Sequence, residues 1–302
     1  MTSFRENLRG IGLIIACNAL FLFNDTLIKL AGATLPLGEI LLIRGILVAS
    51  ALTPIVILTG AHRQIPLLRS RALMWRTIGE ILAAFLYLGA LFHIPIANAN
   101  TVTQVVPLMV TAAGALFLGE VVGWRRWTAI VVGFAGVVIV VRPGLEGFNA
   151  YSVLAFASAI AVTLRDICTR LIPRALPAML VALATGSSVG LCGPLYGLAL
   201  GETWVVPTPQ VIALLAGAVV FVIGGYMTSV AFMRHGDISV VAPFRYVVIL
   251  WAIAIGFAVW GEVPDWPMLI GTAVIATSGI YTFRRERSLA RLAQEAAAGG
   301  GI

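Results

Sequence analysis

Ten apolar runs, each about as long as a bilayer-crossing helix, succeed one another along the chain with only short polar or Pro/Gly breaks between them. A hydrocarbon core about 30 Å thick is crossed by roughly 20 helical residues, and backbone groups inside it find no water to bond. Such runs must be helices. The expected spans are Gly10–Leu30, Leu37–Leu58, Ala72–Phe92, Asn98–Leu118, Trp127–Val141, Ala150–Leu171, Ala178–Leu200, Val211–Met233, Ile238–Trp260 and Pro267–Phe283, the fifth being short. Composition agrees, since 60% of the 302 residues are hydrophobic and 11% charged, against about 25% charged in a soluble domain. The fold class is an all-α membrane protein with ten transmembrane helices. No small-residue cleavage site follows the first run, so it is expected to be retained rather than removed as a signal peptide.

The formal charge of +7 comes almost wholly from arginine. In a soluble protein it would suggest a nucleic-acid partner; here its placement sets topology, and no nucleic acid is expected. Arg5 and Arg9, then Arg63, Arg69, Arg71 and Arg76, then Arg125 and Arg126, then Arg174, then Arg234, then Arg284, Arg285, Arg287 and Arg291 fall at every second connection. Basic residues stay on the cytoplasmic side, which places both termini there and supports an even number of spans. Arg142 is the one exception among the connections.

The two halves share one plan. Asn24-Asp25-Thr26-Leu27-Ile28-Lys29-Leu30 returns as Arg165-Asp166-Ile167-Cys168-Thr169-Arg170-Leu171, displaced by 141 positions (25 to 166). Pro36 maps onto Pro177 and Ala90 onto Ala231 at the same offset, and Gly119-Glu120 onto Gly261-Glu262 at 142. A sustained offset indicates duplication. Because each half carries five spans, the second copy must insert upside down, giving two inverted five-helix repeats around a central cavity. The expected divisions are residues 1–146, residues 147–287 and a disordered cytoplasmic tail at 288–302.

Charges within spans need partners or water, since one at mid-bilayer costs about 2.5–3.5 kcal/mol on insertion scales. In the first half Asn24, Asp25, Lys29, Arg44 and Gln104 project to the outer third of their helices; in the second Arg165, Asp166, Arg170, Tyr226, Arg245 and Tyr246 project to the inner third, with Arg245 the repeat mate of Gln104. Asp25 with Lys29, and Asp166 with Arg170, stand four residues apart and can pair along a helix face. These clusters are candidates for the border of a cavity and for outer and inner gates that close alternately. Snorkelling of Lys29 and Arg170 toward the headgroups is the competing reading. Glu80, the deepest carboxylate, is a candidate either for carrying a proton or for bridging to Arg44 or Arg76.

Pro107 and Pro243 interrupt the fourth and ninth spans, freeing backbone carbonyls and bending the helices. Tyr87, Tyr226, Tyr246 and Trp251 are candidates to line a cavity with aromatic faces. Trp75, Trp124, Trp127, Trp204, Trp260 and Trp266 fall near span ends and read as headgroup anchors. Gly186 with Gly190, and Gly193 with Gly197, form small-residue faces for close helix packing. Cys17, Cys168 and Cys192 lie in apolar runs and, with His62, His93 and His235, show no ligand spacing, so neither a metal nor another cofactor is implied. No His-Glu-x-x-His and no close Asp pair in facing spans occurs, which argues against an enzyme. A channel and a nontransporting receptor remain as alternatives to a carrier.

Taken together, Arg44 in the second span, Pro107 followed by Gly119-Glu120, Ala242-Pro243 with Tyr246, and the closing Gly261-Glu262 resemble the EamA-type branch of the drug/metabolite transporter (DMT) superfamily. The resemblance covers about Leu8 to Arg285. It implies ten helices around a central cavity in a bacterial inner membrane, moving small metabolites by alternating access. Within the branch the chain looks most like the YddG-type exporters of aromatic and other neutral amino acids. Asn24-Asp25 with Lys29 also resembles carriers that import riboflavin or S-adenosylmethionine. The partners implied are a small-molecule solute and the lipid bilayer, with proton coupling and oligomeric state open.

Overall fold

The computed structural model describes residues 4–120, 122–144, 149–173, 175–234 and 241–299. Arg174, His235, the repeat boundary at 146/147 and the expected start of the ninth span at Ile238 lie outside them. Regular structure among the described residues is entirely helical: α1 (Phe4–Ala31), α2 (Leu37–Leu58), α3 (Arg71–Leu91), α4 (Ile96–Thr103), α5 (Val106–Phe117), α6 (Trp124–Val141), α7 (Ala150–Arg170), α8 (Ala178–Leu200), α9 (Pro209–Arg234), α10 (Val247–Trp260) and α11 (Trp266–Gly299), with short 3₁₀ segments at Ala61–Arg69 and Ala242–Tyr246. Ten of the resulting segments are long and apolar enough to cross a membrane, α4 and α5 together making the fourth. The fifth span, short by sequence, is the 18-residue α6.

Local chemistry fixes the ends. Ser70 accepts from the Leu73 N–H and Asn149 from the Tyr151 N–H, capping α3 and α7; such caps satisfy donors that a helix cannot satisfy itself. Gly119, Gly201 and Gly261 have positive φ and are each followed by a glutamate whose N–H bonds back to a glycine carbonyl, Gly114, Gly197 or Gly256. Residues 288–299 continue α11. Their Ala, Leu, Arg, Gln and Glu are strong helix formers.

Compactness divides the chain into two units, neither of which is a sequence half: Met1–Leu20 with Asn100–Phe148 and Gly224–Ile302, and Phe21–Ala99 with Asn149–Ile223. In the second of these α2 packs against α8 and α3 against α7. Both crossings are antiparallel. A Cβ on Gly45 would lie 2.5 Å from Gly190 Cα, and one on Gly186 would lie 3.0 Å from a Val48 methyl. The expected small-residue faces of the seventh span are therefore packing faces, placing backbone against backbone where lipid supplies no hydrophobic drive. At one end Val56, Ala61, Leu73, Leu176, Leu180 and Val181 form an apolar cluster.

In the other unit α6 packs against α11, also antiparallel. A Cβ on Gly136 would lie 3.0 Å from the Gly271 carbonyl, and Ser278 donates to the Ala129 carbonyl. Arg142, the exception to the charge pattern, ends α6 with a φ of 52°. Its guanidinium forms an ion pair with Asp265, which caps α11 by accepting from the Met268 N–H at 3.0 Å. Desolvation works to raise the Asp265 pKa, but the Arg142 hydrogen bond, the Met268 N–H and the Arg142 charge together hold it below the ordinary carboxylate value. The stray cation is thus matched by an anion at the same helix end.

Candidate functional site

Four of the expected outer-cluster residues, Asn24, Asp25, Lys29 and Arg44, belong with Tyr87 to one compact unit, where hydrogen bonds link Asn24, Asp25, Arg44 and Tyr87. Asn24 is almost fully buried in α1. Its amide nitrogen donates to Asp25 Oδ1 at 2.9 Å, while its amide oxygen accepts from Arg44 Nη2 of α2 at 3.4 Å. Tyr87 of α3 donates its hydroxyl to Asp25 Oδ2 at 2.6 Å. Three helices thereby meet through one amide and one carboxylate. Tyr87, expected only as an aromatic lining, acts through its hydroxyl. Lys29, nearer the helix end, donates to the Ile94 carbonyl at 2.8 Å, in the connection between α3 and α4.

A second cluster joins α3 to α7. Glu80 Oε2 lies 3.6 Å from Arg76 Nη2, one turn away on the same face, and Glu80 Oε1 lies 3.6 Å from Arg165 Nη1. Arg165 also holds its neighbour Asp166, with Nε donating to Oδ1 at 2.9 Å and Nη2 at 2.8 Å from the same oxygen. Of the two bridging partners considered for Glu80, Arg76 is present, and Arg165 is an addition the sequence did not suggest. The reason is Gly79, where a Cβ would lie 3.0 Å from the Ala161 carbonyl and the Arg165 nitrogen. Without a side chain there, α7 approaches closely enough to bring Arg165 beside Glu80. Asp166 meets Arg165, and Arg170 is exposed at the end of α7.

The remaining candidates fall in the other unit. Gln104 is buried at the break between α4 and α5, where the N–H groups of Gln104 and Val105 bond three residues back instead of four and Pro107 offers none. Its Oε1 has no hydrogen bond among the described residues. Arg245 is exposed within the 3₁₀ segment, whose Phe244 and Arg245 carbonyls accept from Asn18 Nδ2 of α1 at 3.3 and 3.0 Å. Tyr246 lies against Gly279 of α11. Pro243, Phe244, Tyr246, Val247 and Leu250 line a shallow apolar recess of about 250 Å³. Tyr226 and Trp251 are exposed on α9 and α10. Among the described residues no group of three His, Cys, Asp or Glu side chains is arranged to hold a metal.

Sequence reading missed Asn18, Glu39 and Glu202. Glu202 accepts from the Gly38 N–H at the start of α2 at 3.1 Å, and Glu39 accepts from the Val205 N–H at 3.1 Å. The signal was present, because Gly201-Glu202 closes the seventh span as Gly119-Glu120 closes the fourth.

Ten helices long and apolar enough to cross a membrane define an integral membrane protein. Residues 8–142 match the EamA-like transporter family. Along nearly its whole length the chain is similar to the pseudopaline exporter of Pseudomonas aeruginosa, 28% identical over 289 residues, covering 91% of this chain and 97% of that one. It is also similar to the S-adenosylmethionine uptake transporter of Rickettsia bellii, 26% identical over 275 residues (87% and 89%), and to the riboflavin transporter of Vibrio cholerae, 28% identical over 246 residues (74% and 78%). A crystal structure covering 91% of this chain shares the fold, with a TM-score of 0.59 at 20% identity. The chain is a membrane transporter and not an enzyme, similar over residues 8–142 to the EamA-like transporter family.

Proposed function

We propose that this protein is a secondary carrier exporting small metabolites, foremost aromatic and neutral amino acids, across a bacterial inner membrane by alternating access. The observation that carries the reading is the Arg44–Asn24–Asp25–Tyr87 cluster. It gathers opposite charges and hydrogen-bonding groups from three helices about a third of the way into their spans, which suits a small solute bearing both charges. Two inverted five-helix repeats, residues 1–146 and 147–287, would supply the alternation, with the Asp25/Lys29 and Asp166/Arg170 regions as its two gates and both termini cytoplasmic. The antiparallel crossings support such a relation. Under the 141 offset Gly45 corresponds to Gly186, and both lie in the crossing of α2 with α8, Gly45 against Gly190 and Gly186 against Val48.

A second reading, import of a riboflavin- or S-adenosylmethionine-like metabolite, draws on the similarity to transporters of those compounds. Counterflow separates the two. Purified protein in liposomes preloaded with unlabelled neutral, aromatic or basic amino acid, riboflavin or S-adenosylmethionine is given the labelled counterpart outside. Saturable, trans-stimulated uptake of amino acids supports the first reading, and uptake confined to riboflavin or S-adenosylmethionine replaces it with the second. Flux without saturation or trans-stimulation would indicate a channel.

A further inference from the structure

We infer that the transported solute presents a carboxylate to Arg44. The inference rests on the carrier reading above and narrows its substrate class. Two other arginines within spans of the same unit meet anions: Arg76 and Arg165 face Glu80, and Arg165 also faces Asp166. Arg44 does not. Among the described residues its guanidinium makes a single hydrogen bond, 3.4 Å long, to a neutral amide oxygen, and no carboxylate lies within ion-pair distance. It is half-buried and stands seven residues after the start of α2, about 10 Å along the helix axis.

A guanidinium offers five N–H donors in a planar fork that matches a carboxylate in bidentate fashion. One long bond leaves most of that capacity unused among the described residues. Asn24 is nearly buried, and its amide is fixed from both sides because its oxygen takes Arg44 while its nitrogen holds Asp25. The guanidinium is thereby oriented without being neutralised. The nearby Asp25 charge also sets the kind of anion accepted. It repels a doubly charged phosphate more than a singly charged carboxylate, and it favours a solute whose carboxylate is accompanied by a positive group. An amino acid has that pattern, whereas riboflavin and nucleosides carry neither charge.

The test is competition in the counterflow assay with full-length protein in liposomes. Unlabelled phenylalanine and phenylalaninamide, which differ at the carboxylate, compete against labelled phenylalanine in the wild type, Arg44→Lys and Arg44→Gln. In the wild type the amide should compete at least about tenfold more weakly, because a site built for a group rejects the analogue lacking it. Arg44→Gln should erase most of that gap and Arg44→Lys should keep part of it. Equal competition by acid and amide in the wild type, a comparison needing no variant, would overturn the assignment while leaving the carrier standing. So would an unchanged preference in a folded Arg44→Gln protein, or saturable exchange of riboflavin in place of any carboxylate. Absence of exchange for every solute would instead remove the carrier reading and this inference together.

Discussion

Gly45→Ala and Gly45→Val test whether backbone contact between α2 and α8 holds their unit together. A methyl at position 45 would stand 2.5 Å from Gly190 Cα and 3.2 Å from Gly190 N. Carbon atoms pack best at about 3.5–4.0 Å, so the helices must part by about 1 Å at the crossing. The obstacle is backbone, which cannot rotate away as a side chain can. Parting by 0.5–1 Å forfeits roughly a quarter to a half of the attraction at each atom pair, and overpacking of this kind typically costs about 1–3 kcal/mol. Alanine recovers about 1 kcal/mol of helix propensity over glycine, which offsets part of the loss. Valine recovers less and adds a second collision, so its net loss should approach about 3 kcal/mol. Gly12→Ala is the control, since a Cβ there meets nothing within 4 Å and only the propensity gain remains. Thermal unfolding of the purified proteins in one detergent should rank Gly12→Ala at or above wild type, then Gly45→Ala, then Gly45→Val. If Gly45→Val melted with the wild type, the close crossing could not be what stabilises this pair of helices.

At Asp265 the folded-state pKa lies below the ordinary carboxylate value. Its ion pair therefore contributes fully above about pH 4 and is lost as pH falls through the folded value. Since the Asp265 side chain is 53% exposed, screening limits that contribution to well under about 1 kcal/mol; Asp265→Asn should melt slightly below wild type at pH 7, and the two should converge as pH falls through the lowered value. Glu80→Gln leaves Arg76 and Arg165 without the carboxylate they share, so the variant should lose stability, by about 1–3 kcal/mol, while any transport it retains keeps its dependence on a pH gradient. Transport that became indifferent to the gradient would make Glu80 a proton carrier after all. A Cβ on Gly279 would lie 2.6 Å from Tyr246 Cζ, so Gly279→Ala should destabilise the protein and Tyr246→Leu should restore it, read by the yield of monodisperse protein.

The spans were legible because twenty-residue apolar runs in a bilayer admit one secondary structure. Even the borderline fifth span follows its run to Val141, and its start differs by three residues because Trp124, Arg125 and Arg126 are polar in pattern yet helical in place. Pairings were harder. The sequence puts Asp166 one turn from Arg170, a geometry internal to a helix and therefore easy to read. The meeting of Arg165 with Glu80 depends instead on which face α7 turns toward α3, and that is decided by the absence of a side chain at Gly79. Asn18 escaped notice for a related reason. It answers the carbonyls of Phe244 and Arg245, and backbone groups leave no mark in the sequence.

The helix interruptions near Gln104 and Arg245 meet their polar needs in different ways. Those two residues stand 141 apart, and each lies in a stretch where helical bonding shortens to three residues before resuming, Gln104–Val105 in the fourth span and Ala242–Tyr246 in the ninth. A shortened turn misaligns carbonyls and localises bending, so paired interruptions are the places where two halves can flex in corresponding ways. Their polar needs are met differently. At the ninth span an amide reaches in from α1, Asn18 donating to two carbonyls at once. At the fourth, the amide is on the broken segment itself, and Gln104 is buried with its oxygen lacking a hydrogen bond among the described residues. An acceptor left unsatisfied inside a membrane protein is expensive, so the fourth-span break carries a cost that its counterpart does not. Gln104→Leu, which removes the unsatisfied oxygen, should therefore stabilise the resting protein, whereas Asn18→Leu should destabilise it by stranding two carbonyls. Opposite shifts in melting temperature would bear this out; two losses of equal size would mean that the Gln104 oxygen is already satisfied.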